Sequence, residues 1–210
     1  LCRAISVAGD KAPMKLILAS GSPFRKALLS NAGFTFDAIP AGIDERQVEA
    51  PLAAAGSGPQ DIALALAEAK ARDVSVKNPD ALTIGSDQVL SMGRDIFHKC
   101  TTMAEARERL LQMSGREHLL DSAFVIVRHN AVLTKHVSRA SMTFRTFTER
   151  EIDTYLEEAG EGVLGSVGAY QFEGLGIRLF EKIEGDYFTI IGMPMLPLLS
   201  ALRELGAIDA

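Results

Sequence analysis

Lys15-Leu16-Ile17-Leu18-Ala19-Ser20-Gly21-Ser22-Pro23-Phe24-Arg25 is the stretch on which the fold turns. Lys15 to Ala19 is a short apolar run and reads as a buried strand. Ser22 and Pro23 then open a helix, because serine accepts from orphan N–H groups and proline fits the first helical turn. That helix, Pro23 to Asn31, turns Ala27, Leu28 and Ala32 inward and stops at Gly33, a residue that takes the left-handed terminating conformation cheaply. Such a junction offers unpaired N–H groups and about half a positive charge, which suits a phosphate. Ser20 and Ser22 add hydroxyl donors, Gly21 lets a ligand approach the backbone, and Arg25 can fork onto phosphate oxygens. The same residues also describe an ordinary capped helix with a surface arginine, and the junction alone does not decide between the two.

Strands and helices alternate along the rest of the chain, so the fold class expected is α/β, with central hairpins making the sheet mixed. Phe34 to Ile39 reads as a strand, followed by a loop through Asp44-Glu45-Arg46 and a small-residue flexible stretch over 50–58. A helix opens at Pro59 and runs to about Val76. Ala81 to Gly85 is a second buried strand, ending in Ser86-Asp87-Gln88. Met92-Gly93-Arg94 turns the chain back to His98-Lys99-Cys100. Thr102 to Glu105 and Thr148 to Glu151 are capping boxes that open two more helices. Between them, Leu119–Val127 and Val132–Phe144 are β-rich and joined at Arg128-His129-Asn130. Ile177–Ile183 and Tyr187–Ile191 read as strands, and a last helix follows Pro194. Gly160-Glu161-Gly162-Val163-Leu164-Gly165 fits a dinucleotide fingerprint in letters, but it follows a helix instead of a strand and is rejected.

Composition narrows the partners. The chain has 210 residues, 47% hydrophobic and 23% charged, with a net charge of −5. That size suits one α/β domain over 14–210 or two lobes sharing a sheet. The acidic balance argues against nucleic acid or an anionic membrane as partner, since both favour basic surfaces. It leaves room for a small phosphorylated ligand, which needs only a few local cations. Cys2 and Cys100 form no disulfide framework and fit a reducing cytoplasm. The four histidines lack the close spacing of a zinc site. No apolar run reaches the ~20 residues of a spanning helix. Residues 1–13 lack the apolar core of a signal peptide and are read as an extension outside a fold that begins at Met14.

Four further places could carry chemistry. Asp87 ends an apolar strand, where α/β sheets place the carboxylates of a ligand crevice, and there it could hold a divalent ion, activate a water or simply cap a turn. Asp44 and Glu45 could complete an oxygen-rich magnesium site with Asp87, or be solvated loop carboxylates. Lys70 sits in a mostly apolar helix (Ile62, Ala63, Leu66, Ala69) and either snorkels to solvent or points its charge into the cleft. Lys99, just after a strand, is open to the same choice.

Taken together these segments resemble the Maf family of nucleotide pyrophosphatases, from Met14 to Ile208 and in family order. LILASGSPFRKALL is similar to its opening signature, AGIDE to its acidic pair, EAKA to its helix lysine and TIGSDQV to the strand bearing its aspartate. FHKC retains its lysine, and VGAYQFEGLG with EGDYFTIIGMP resembles its C-terminal signature. The resemblance implies a mixed twisted sheet flanked by helices, in two lobes around a central cleft as in ITPase-like proteins. It implies hydrolysis of a nucleoside triphosphate to monophosphate and pyrophosphate, with Mg2+ or Mn2+ as cofactor, in a cytoplasmic homodimer. Carried over, Asp87 matches the catalytic proton acceptor. Ser20, Ser22, Arg25, Lys70 and Lys99 match the phosphate-binding set, and Glu45 with Asp87 the metal ligands. Phe24, Gln88 and Glu173 stand where the family sets its base, and they resemble the branch that acts on 7-methyl-GTP. A cationic N7-methylguanine favours an aromatic face and a nearby carboxylate. The branch acting on dTTP and UTP, and a septum-formation regulator that binds nucleotide with little catalysis, are the alternatives. His98 and Cys100 replace the glycine and proline that flank the family's lysine.

Overall fold

The computed structural model describes residues 14–209, and the extension read over 1–13 lies outside the described residues. Strand β1 (Leu16–Leu18) is wholly buried, as its apolar run requires, and pairs in parallel with β2 (Asp37–Ala38) and β3 (Leu82–Met92). Helix α1 (Pro23–Asn31) follows with Ser22 as N-cap, its side chain accepting from the Arg25 N–H at 3.4 Å. Both ends of this unit fall where the sequence places them.

Beyond β3 the sheet becomes antiparallel. Strands β5 (Glu117–Arg128), β6 (Ala131–Phe144) and β7 (Phe180–Glu184) complete the order β2-β1-β3-β5-β6-β7, and β4 (Asp95–Phe97) folds back on the end of β3. The β5–β6 hairpin closes on His129 and Asn130, with φ of 49° and 59°. Two consecutive left-handed residues in a two-residue loop match the twist of a hairpin. The result is a mixed seven-stranded sheet flanked by helices.

Side-chain alternation along β3 and β5 sorts the core. On one face Leu82, Ile84, Phe124 and Ile126 pack with α1 and α7 (Met195–Glu204). Farther along that face Leu90, Met92 and Leu120 join a second cluster under α4 (Met103–Met113) and α5 (Glu149–Ala159). On the opposite face Val89, Ala123, Val125 and Val127 meet α3 (Pro59–Lys77). One gap in the sheet creates the cleft. β1 leaves β3 at Ile84, where the Ala19 N–H makes its last bond, and β4 joins only at Leu90. Gly85 to Val89 therefore has β5 on one side and no strand on the other.

Several elements differ from the sequence expectation. β3 does not end at Gly85 but runs on to Met92, because its pairing with β5 continues through Ser91. Asp87 thus lies inside a strand, on its open edge. The expected loop at Asp44–Arg46 is the start of α2 (Glu45–Ala54), capped by Asp44, whose side chain accepts from the Arg46 N–H. Ala50, Leu52, Ala53 and Ala54 are helix formers that continue the turn this cap starts, and the helix tolerates Pro51 in its interior. Of Phe34–Ile39 only Asp37–Ala38 pairs. Tyr187–Ile191, β-rich by composition, is the short helix α6, because the Asp186 side chain caps the Thr189 N–H and Gly192 at φ 117° ends it. Leu175–Leu179 is a 3-10 turn leading into β7. The rejected glycine fingerprint forms a 3-10 turn after α5, with no strand before it. No described helix is long and apolar enough to cross a membrane.

Candidate active site

The open edge of β3 floors a cleft of about 400 Å³. Ser22, Phe24 and Arg25 from the β1–α1 junction line it, together with Glu45, Lys70, Asp87, Gln88, Lys99 and Glu173. Residues from six separate stretches of chain thus converge on one cleft. Ser20 is the exception. It is buried, and its hydroxyl accepts from the Ser22 N–H at 3.2 Å and from Arg25 Nη1 at 3.5 Å, so it braces the cleft-lining residues from behind. Asp44 is spent on capping α2 and is not among the lining residues.

Arg25 is fixed by a second contact, its Nε donating to the Gly192 carbonyl at 2.9 Å, which also accepts from Ser86 Oγ at 3.2 Å. This holds the guanidinium against the cleft without using up its whole fork. Burial pulls the Arg25 pKa down while Asp87 and Glu45 push it up. Lys99, in the stretch without regular structure between β4 and α4, also has its pKa lowered, by burial first and then by Arg25. Among the described residues neither cation makes a salt bridge, so the two suit an incoming polyphosphate.

Lys70 settles its own ambiguity. It points from α3 into the cleft, with Nζ 2.5 Å from Asp87 Oδ1 and 2.7 Å from Glu45 Oε1. The Lys70 and Asp87 side chains are 11% and 9% exposed, so this is a desolvated ion pair, while Glu45 is 55% exposed. Burial pushes the Asp87 carboxyl above its ordinary range, and Lys70 and Arg25 pull it back. Such a carboxylate is more basic than a solvated one and can take a proton.

Phe24, Phe172 and Glu173 also line the cleft. Gln88 lines the same space, but its amide nitrogen is committed to the Ser122 hydroxyl at 2.9 Å and to the Thr189 and Ile190 carbonyls at 3.0 Å each. It ties α6 to the sheet and leaves its carbonyl oxygen as the free group. Sequence reasoning missed Glu49, which lines the cleft one turn after Glu45 and meets His98 Nε2 at 3.5 Å. The Glu45–Glu49 spacing of four would have revealed it had α2 been recognised as a helix. It also missed the Gly192 carbonyl, which no side-chain pattern announces.

Among the described residues no cluster of three or more His, Cys, Asp or Glu side chains could hold a metal. The donors that do converge, Glu45 and Asp87, are two carboxylates beside a polyphosphate-sized cleft. That set fits a magnesium or manganese ion carried in on phosphate oxygens, which needs only one or two protein carboxylates.

The family model described as Maf-like protein matches residues 15–205. A 7-methyl-GTP pyrophosphatase of Rhizobium meliloti (strain 1021) is 62% identical over 195 residues, covering 93% of this chain and 98% of its own. One of the same description from Brucella suis biovar 1 (strain 1330) is 56% identical over 196 residues, with the same coverage. A nucleoside triphosphate pyrophosphatase of Bradyrhizobium diazoefficiens is 50% identical over 189 residues, covering 90% of this chain and 93% of its own.

Proposed function

Because this chain belongs to the Maf family, we propose that it hydrolyses nucleoside triphosphates to monophosphate and pyrophosphate, with 7-methyl-GTP preferred. The observation that carries this is the arrangement on the open edge of β3. A buried Asp87–Lys70 pair lies beside Arg25 and Lys99 in one cleft, with Phe24 and Glu173 lining it as well.

The chemistry follows from charge. A triphosphate carries about four negative charges, and cleavage between the α and β phosphates concentrates charge on the departing pyrophosphate. Arg25 and Lys99, held by the fold before substrate arrives, face that charge, as does the helix N-terminus at Ser22. Preorganised cations of this kind stabilise the transition state more than the ground state. Asp87 accepts the proton of the attacking water as the new oxygen–phosphorus bond forms and the bond to the pyrophosphate oxygen breaks. Lys70 keeps the Asp87 carboxylate charged and positioned. A divalent cation held by Glu45 and Asp87 would add positive charge against the phosphate oxygens. Phe24 offers an aromatic face to a cationic base and Glu173 a carboxylate. The cytoplasm and a homodimer are the compartment and assembly this reading carries with it.

Pyrophosphate release, detected through added inorganic pyrophosphatase across a panel of triphosphates with magnesium, tests the activity. Turnover is expected for wild type and its loss for Asp87→Asn. No turnover of any triphosphate, or full activity in Asp87→Asn, would sink the reading. Tight nucleotide binding by calorimetry without release would favour a regulatory binding protein instead. For the base, 7-methyl-GTP should outrun dTTP and UTP, and Glu173→Gln should erode that preference. A tenfold advantage for dTTP would overturn the assignment of Phe24, Gln88 and Glu173 to base selection.

A further inference from the structure

Two stretches that line the cleft have no strand or α-helix to hold them. Lys99 lies in the irregular connection between β4 and α4, and Gly165 to Gly168 leads from a 3-10 turn toward Tyr170, Phe172 and Glu173. A side chain behind the cleft joins them. Arg109, on α4 and outside the cleft lining, donates from Nη1 to the His98 carbonyl at 2.9 Å and to the Val167 carbonyl at 2.7 Å. Its guanidinium also lies over the Phe97 ring, 4.6 Å from the centroid. Each of the two Nη1 hydrogens therefore has its own backbone acceptor, one immediately before Lys99 and one in the loop leading to Glu173. A helix supplies the rigid mount, since Ala106 and Leu110 on either side of Arg109 are fully buried.

We infer that Arg109 is a positioning residue that sets the Lys99 segment and the 165–173 loop against each other, so that phosphate grip and base selection depend on one side chain outside the cleft. The inference rests on the proposed pyrophosphatase reading for its catalytic consequence, but not for the clamp itself. Charged hydrogen bonds to carbonyls are among the stronger ones available. Displacing a reacting or binding group by about 1 Å can cost about a hundredfold in rate.

The test compares wild type, Arg109→Ala and Arg109→Lys, with melting temperatures measured alongside kinetics on 7-methyl-GTP and GTP. In Arg109→Ala, kcat/KM for 7-methyl-GTP is expected to fall by about ten- to a hundredfold, and its preference over GTP to narrow. Arg109→Lys, which keeps a cation with several donors, should recover part of the loss. So should guanidinium chloride added to Arg109→Ala well below denaturing concentration. Amide hydrogen exchange should rise in both 98–100 and 166–169 of Arg109→Ala. A residue that only stabilised the fold would lower the melting temperature and leave the kinetics of the folded fraction unchanged, and that result would overturn the proposal. Faster exchange in only one of the two segments, or no rescue by either lysine or guanidinium, would overturn it as well. If wild type hydrolyses no triphosphate, the functional reading fails while the exchange measurement still decides the clamp.

Discussion

Desolvating an ammonium and a carboxylate is costly, and the cost is recovered only while both are present. Lys70 and Asp87 are in that position, with Glu45 as a second, wetter partner for the lysine. Lys70→Met should therefore do more than slow the enzyme. It strands a buried carboxylate and should destabilise the fold by about 3 kcal/mol at pH 7. The sign with pH follows from the Asp87 carboxyl, already pushed up by burial and held back chiefly by Lys70. Without the lysine it rises further, so the folded state holds a proton that the unfolded state has released. The deficit then grows as pH rises and shrinks on acidification. Urea unfolding at pH 7 and pH 5 checks this, and equal deficits at the two would contradict it. His118 gives the opposite slope. It is fully buried, its Nε2 lies 2.9 Å from the hydroxyl of cleft-lining Tyr170, and burial pushes its pKa down to about 3. The unfolded chain binds that proton from about pH 6.5 downward. Stability should thus fall on acidification through the interval from 6.5 to 3, by about 1.4 kcal/mol per pH unit from this group. His118→Gln should flatten that part of the profile; an unchanged slope would assign it to other groups.

At the scale of elements, the distance between α3 and β3 sets the distance between Lys70 and Asp87. Gly85 is what lets them approach. A Cβ there would stand 2.0 Å from the Ala67 carbonyl oxygen and 2.8 Å from the Ala71 Cβ. Backbone cannot yield as a side-chain tip does, so Gly85→Ala must push the helix off the strand. A loss of about 1–3 kcal/mol or more is expected, together with a fall in kcat for the folded fraction, because the helix carries Lys70 away with it. Retained stability with normal kinetics would mean the helix is not seated as described. Gly85 was legible in the sequence only as the end of a strand. The elements that could be read were those whose ends carry local chemistry: Ser22-Pro23 before α1, Thr148 with Glu151 before α5, Pro194 before α7. α2 escaped because Pro51 stands inside it, where proline argues against a helix, and its start is signalled by Asp44 alone. α6 escaped because Tyr187 to Ile191 has strand composition, and the Asp186 cap and Gly192 stop outweigh it. The candidate site was more legible than the topology, since charged residues in apolar stretches stand out. What could not be read was which backbone carbonyls would meet them. Gly192, His98 and Val167 accept bonds that depend on the folded chain and leave no mark in residue type.

The whole molecule is held as one by the two strands that pass under the cleft. β3 contributes Leu82 and Ile84 to the cluster beneath α1 and α7, Val89 to the one beneath α3, and Leu90 and Met92 to the one near α4 and α5. β5 does the same with Phe124 and Ile126, Val125, and Leu120. A cleft between lobes is usually a hinge between separable units, but here the continuous strands tie their cores together. Heating should therefore give a single cooperative transition. A nucleotide bridging Arg25 and Lys70 on one side and the 165–173 loop on the other should raise that transition without splitting it. For a triphosphate analogue with a non-hydrolysable α–β bridge at a hundredfold excess over its Kd, linkage gives about 2.7 kcal/mol. In a chain of this length that corresponds to an upward shift of about 5–10 °C. The nucleoside alone, lacking contacts to Arg25 and Lys70, should shift it far less at the same concentration. Scanning calorimetry distinguishes the outcomes. Two resolved transitions, of which only one moves with the analogue, would show that the shared strands do not couple the lobes and that the ligand sits within one of them.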